Sequence, residues 1–93
     1  MYDRLGFAIL ATQNVAVGSS STQSTALGAQ TRCVRLVSNT DCYIAIGSNP
    51  TATTSGLLLL ASQPEYFTVR PGELIAVIQS SASGTLNVAE MGR

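Results

Sequence analysis

The 93-residue chain has no lysine, no histidine and no tryptophan, and only 11% of its residues are charged, against about 25% in an ordinary soluble domain. Each absence removes a class of chemistry. Without histidine there is no Ser-His-Asp triad, no Cys-His pair and no imidazole ligand for a metal. Without lysine there is no Schiff base, no Ser-Lys dyad and no phosphate-cradling P-loop. Two cysteines alone make a poor zinc site, so neither metal nor cofactor is expected. Asp41, Glu65 and Glu73 would have to supply any hydrolytic carboxylate pair. All three fall beside turns, where acids are solvated or cap backbone N–H groups. The sequence therefore predicts a protein that is not an enzyme.

The charges that remain are balanced. Five arginines (Arg4, Arg32, Arg35, Arg70, Arg93) face five acids (Asp3, Asp41, Glu65, Glu73, Glu90) and the formal net charge is zero. Scattered arginines form no basic stripe for phosphate, which argues against nucleic acid as a partner. No polybasic segment or amphipathic helix is available for an anionic membrane. The apolar stretch Leu5–Ala11 is short, follows Asp3 and Arg4, and precedes no small-x-small cleavage pattern, so synthesis in a cytoplasm is expected.

What the chain does contain is 45% hydrophobic residues, with polarity supplied by Ser, Thr, Asn and Gln. The apolar residues come in short runs separated by turn-rich segments, and nowhere do ten residues hold a 3.6 period. This predicts an all-β domain of seven to eight strands, a small antiparallel jelly-roll-like sandwich first and a Greek-key barrel second. Phe7–Thr12 and Asn14–Val17 read as one bent strand or two, and Gly18–Thr25 (GSSSTQST) as a loop. Residues 1–30 form a strand or arm with a Ser/Thr-rich connector within the same domain, and 31–93 the sandwich core. The arm reading has the segment before Gly18 pairing with a neighbour's sheet edge; the alternative is an edge strand of its own domain. Thr31–Val37 and Cys42–Ile46 read as a hairpin about Ser38–Asp41. A three-residue loop there puts Val34, Leu36, Ile44 and Ile46 on one face and Cys33, Arg35, Val37, Tyr43 and Ala45 on the other. In such a hairpin Cys33 and Cys42 stand too far apart to bridge, and two buried thiols are expected. Leu57–Leu60 reads as a strand buried on both sides. Tyr66–Arg70 places Phe67 and Val69 on one face and Tyr66, Thr68 and Arg70 on the other. Arg70-Pro71-Gly72-Glu73 reads as a type II turn, followed by strands Leu74–Gln79 and Thr85–Met91, with Leu86, Val88 and Glu90 on a common face.

A β protein ordinarily guards its sheet edges with lysine and other charges. This one has few to spare, so its edges and apolar faces are expected to be covered by partners.

Three phrases, VRLVSNTDCYIAIGSNPTATTS, LLLLASQPEYFTVRPGE and LIAVIQSSASGTLNVAEM, together resemble small virion proteins of tailed bacteriophages over Thr31 to Met91. The resemblance implies a phage structural protein, specifically a capsid decoration (cement) protein. Such proteins are small β-sandwiches seated as dimers or trimers on the major capsid protein at symmetry axes. A tail, fibre or head–tail junction component is the alternative. A glycan- or receptor-binding module with Tyr43 and Tyr66 on an aromatic face is a third reading. Arg35, Tyr43, Tyr66 and Arg70 are the candidate interface residues. They lie on the less apolar faces of their strands, and Tyr and Arg are enriched as interface anchors.

Overall fold

A computed structural model describes residues 8–92. Eight strands form two four-stranded sheets with no helix among the described residues. In order they are β1 (Ala8–Val17), β2 (Thr22–Gln23), β3 (Thr31–Ser38), β4 (Cys42–Gly47), β5 (Leu57–Leu59), β6 (Glu65–Thr68), β7 (Leu74–Gln79) and β8 (Gly84–Gly92). Sheet A runs β1-β8-β3-β6 and sheet B runs β2-β7-β4-β5. Every neighbouring pair is antiparallel. Most connections cross between the sheets, and this is the strand order of a jelly roll.

The alternation of side chains explains the two layers. Val34 and Leu36 of β3, Cys42 and Ile44 of β4, Ile75 and Val77 of β7, and Leu86 and Val88 of β8 meet in one core. Leu36, Leu59, Ile75 and Leu86 are among the largest side chains removed entirely from solvent. Each contributes about 1.5–3 kcal/mol by that burial. Val15 and Val17 close the core from β1, and Leu27 closes it from the loop before β3.

The predicted faces hold, but the hairpin does not. β3 pairs with β8 and β6, whereas β4 pairs with β7 and β5. Residues 39–41 form a corner between sheets rather than a hairpin turn. The corner is pinned by Asn39 N–H donating to Thr85 O (3.3 Å) and Ser80 N–H to Asp41 O (3.1 Å). The two strands then aim their apolar sets at the same interior from opposite sheets. Neither cysteine is in a disulfide and both are buried. The reason differs from hairpin geometry: Cys42 sits in the core between the sheets, while Cys33, alternating with the inward Val34, faces the opposite side of sheet A.

One open alternative is decided and two further expectations change. Ala8–Val17 is one strand along its whole length, with a register shift between Ile9 and Ala11, and it pairs with β8 of its own sheet. The arm reading for residues 1–7 lies outside the described residues. The stretch Gly18–Thr25 contains the two-residue strand β2, which adds an edge beside β7. Leu57–Leu60 is not buried on both sides. β5 is an edge strand, and although Leu59 is fully buried, Leu57, Leu58 and Leu60 are 52%, 42% and 49% exposed. A continuous apolar run meant burial only if strands flanked it on both sides, and here β4 flanks it on one side and no strand of the described residues on the other.

The turn after β6 matches its chemistry. Gly72 has φ of +85°, the left-handed value that the third residue of a type II turn requires. Glu73 N–H donates to Arg70 O (3.2 Å), and the Glu73 carboxylate accepts from Arg70 N–H (2.8 Å).

Candidate interaction surfaces

The two outer faces of the sandwich differ in kind. On the outer face of sheet A, Arg35 of β3 stands opposite Ala89 of β8 on one side and Tyr66 of β6 on the other. The neighbouring row is Asn14, Asn87 and Val37. Arg35 Nη2 donates to Asn87 Oδ1 (3.3 Å), and Asn87 Nδ2 donates to Asn14 Oδ1 (3.1 Å). A polar ladder thus crosses β3, β8 and β1. Arg35 Nε is buried and has no acceptor among the described residues.

Beside that ladder lies an open depression of about 280 Å³ lined by Val37, Ser38, Asn39, Ser62, Thr85 and Asn87. Its polar groups are largely spoken for. Asn39 Oδ1 accepts from Thr85 N–H (2.9 Å), and Ser38 Oγ accepts from Thr40 N–H (3.2 Å). Ser62 takes a positive φ of 61° while its N–H donates to Ser38 O (2.8 Å). These bonds fasten the corner to the segment after β5, a structural role that accounts for the polar lining without a ligand.

The outer face of sheet B is apolar except at its β2 edge, where Gln23 stands opposite Ala76. Tyr43 of β4 is flanked by Ile78 of β7 and Leu58 of β5, and the next row pairs Ala45 with Ala76. From Cys42 through Pro64 there is no charged residue at all. The β4–β5 hairpin and its flanks therefore offer nothing but apolar and neutral polar groups.

The four predicted interface residues do not make one site. Arg35 and Tyr66 are direct cross-strand partners on sheet A. Tyr43 lies on the other side of the sandwich, so a joint aromatic face of Tyr43 and Tyr66 does not exist in one copy of the chain. Arg70 is exposed in the turn beyond β6. The residues that sequence reasoning missed are the exposed apolar ones, Leu57, Leu58 and Leu60 on sheet B's edge and Ile9 and Leu10 on sheet A's. For the leucines a signal was present in the uncharged stretch around them.

The acids serve the backbone and the core. Asp41 Oδ1 accepts from Ala61 N–H (2.8 Å). Glu90 is buried on the inward side of β8, where Oε1 accepts from Gly28 N–H (2.9 Å) and Thr31 Oγ1 (2.8 Å) and Oε2 from Gln13 Nε2 (3.3 Å). Among the described residues no cluster of three His, Cys, Asp or Glu side chains could hold a metal ion. Burial pushes the Cys42 thiol up, and the nearby Asp41 charge adds to this, while a hydrogen bond with Ser38 opposes it. A neutral buried thiol is a poor nucleophile and ligand. No helix of the described residues is long and apolar enough to cross a membrane.

No protein-family model, no curated protein and no solved structure matches the chain.

Proposed function

We propose that the protein is a non-enzymatic structural component of a tailed-bacteriophage virion, a capsid decoration protein that assembles with copies of itself and binds the major capsid protein to cement the head shell. It is made in the host cytoplasm and ends in the virion. The observation that carries the assembly half of this reading is the leucine-rich edge of sheet B. Leu57, Leu58 and Leu60 are all more than two-fifths exposed on a chain without a single lysine to guard them. Exposed apolar edges of this kind are liabilities in a free monomer and assets once covered. The virion half rests on the resemblance over Thr31 to Met91. The jelly-roll order alone decides nothing here, since that fold serves capsid proteins, lectins and enzymes alike.

A decoration protein that binds only the assembled shell stabilises it by mass action. Quantitative mass spectrometry of purified native particles, measured against the major shell protein, tests the proposal. A ratio near one, or a simple fraction of it, supports decoration. A few copies per particle moves the protein to the tail or head–tail junction, and absence from the particle overturns the virion reading.

A further inference from the structure

We propose that β5 is a self-association edge. Two copies of the chain pair their β5 strands antiparallel about a two-fold axis at Leu58, joining two B sheets into one eight-stranded sheet. The proposal rests on the reading of the protein as an assembling module, and it names the surface and the partner.

The comparison among the four edges carries the argument. β1 is interrupted by its bulge between Ile9 and Ala11, and continues with Thr12, Gln13 and Asn14. β2 is two residues long, and its Gln23 side chain is tied back to Asn49 Oδ1 (3.1 Å) and Pro50 O (2.7 Å). β6 opens on Glu65, follows Pro64 and is succeeded by Arg70. Bulges, brevity, proline and charge are the devices by which sheets avoid edge-to-edge pairing. β5 shares brevity, but neither a charge nor a bulge protects it. Its side chains are leucines, and they sit within the uncharged stretch from Cys42 to Pro64.

Leu57 adds a second observation. It pairs with the inward-facing, buried Ile44, so it points toward the core side of the sheet, yet it is 52% exposed. The core is left open at this edge, as though one strand short. A strand laid beside β5 would cover Leu57 from the side and give partners to the backbone groups on the flank of β5 away from β4, where no strand lies among the described residues.

The sequence of the edge favours a second copy as that strand. Leu57-Leu58-Leu59, the whole of β5, reads the same in both directions, so antiparallel self-pairing about Leu58 opposes leucine to leucine. Centred on Leu58, it places the partner subunit's Leu59 across from Leu57 and the reverse, an isologous contact of the sort two-fold dimers use. On the outer face, the Ile78, Tyr43 and Leu58 row then runs unbroken into its symmetry mate. With no charge between Asp41 and Glu65, nothing on the hairpin repels its copy.

Sedimentation equilibrium of the full chain over a concentration series tests this. The wild type is expected at twice the 9.7 kDa chain mass, and Leu58→Lys at one chain mass with its far-UV circular dichroism unchanged. A wild type that stays at one chain mass throughout, or a dimer whose mass Leu58→Lys leaves unchanged, overturns the proposal. Leu58→Cys provides a readout that does not depend on tolerance of a lysine. Directly opposed residues in an antiparallel pair are about 4.5–5.5 Å apart at Cα, within the span of a disulfide. Mild oxidation should give a covalent dimer from Leu58→Cys and none from Tyr66→Cys on the other sheet. Failure to cross-link counts against the two-fold at Leu58. These outcomes are independent of the particle copy number: a monomer found at high copy in virions would defeat the dimer and leave the decoration reading intact.

Discussion

Glu90 ties three parts of the chain together, and its removal makes a sharp test of how the sandwich is closed. Its side chain is only 7% exposed. Oε1 accepts from the backbone of Gly28 and the hydroxyl of Thr31, and Oε2 from Gln13. Gln13 in turn accepts through Oε1 from both Thr25 N–H and Thr25 Oγ1 at 3.0 Å. The network fastens β8 to β1 and to the loop before β3. In Glu90→Ala the Thr31 hydroxyl, 1% exposed, loses its acceptor at about 1–3 kcal/mol. A methylene leaves the interior at about 0.8 kcal/mol, and the space vacated by the carboxylate adds a cavity term. Gly28 is exposed, so its N–H turns to water, and relief of the buried charge offsets part of the loss. The net expectation is about 2–4 kcal/mol of destabilisation by urea unfolding, or roughly 10–25 °C in Tm for a domain of this size. Glu90→Gln keeps the acceptor for Gly28 and Thr31 and loses only the Gln13 bond, where two amide donors now face each other. That variant should lose about 1 kcal/mol. Adding Gln13→Glu restores an acceptor opposite the new amide while still accepting from Thr25, and should recover most of the loss. If Glu90→Gln is as damaging as Glu90→Ala, or if Gln13→Glu deepens the defect, the bonds are not what holds this corner and the reasoning is wrong.

Other expectations follow from single positions. Cys42 should resist thiol reagents in the native state and react on unfolding. Its folded pKa is raised, so its contribution is fully present below the unfolded-state thiol pKa and is lost as pH rises from that value toward the folded one. Stability should fall there by up to about 1.4 kcal/mol per pH unit, and Cys42→Ala should flatten that part of a pH–stability curve. Gly72→Ala meets no atom of the described residues within 4 Å but must hold φ at +85°, so it should destabilise by about 1–2 kcal/mol in chemical denaturation. Leu59→Ala should cost about 2–5 kcal/mol. Leu57→Ala, on the same strand and the same face but half exposed, should cost less than about 1 kcal/mol in dilute monomer, where equal losses would contradict the edge position of β5.

Much of this fold was legible in side-chain period. Period two sorts each strand into two sets, and in TRCVRLV the charged Arg35 between Val34 and Leu36 marks the outward one; CYIAI is apolar throughout, so its sorting rested on the loop length assumed between the strands. RPGE specified its own turn through Pro71 and Gly72. Pairing was not legible, because Asn39–Asp41 permits either a hairpin or a corner, and only the competition of β8 for β3 and of β7 for β4 decides between them. The leucine run was misread for a related reason: LLLL has no alternation, so it says nothing about which flank is filled. The candidate surface split likewise. Arg35 and Tyr66 share a face because β3 and β6 pair, a long-range fact, while Tyr43 left that face when β4 joined the other sheet.

The position of β8 between β1 and β3 has a consequence for biosynthesis. β8 is the last of the eight strands to leave the ribosome, and until it does, β1 has no neighbour in sheet A and the pair β3-β6 stands apart from it. The nascent chain must therefore hold Val15, Val17, Val34 and Leu36 without their lining while seven strands wait for the eighth. Such a topology is completed after synthesis of that strand rather than during it, and closure of long sequence separations makes the step slow.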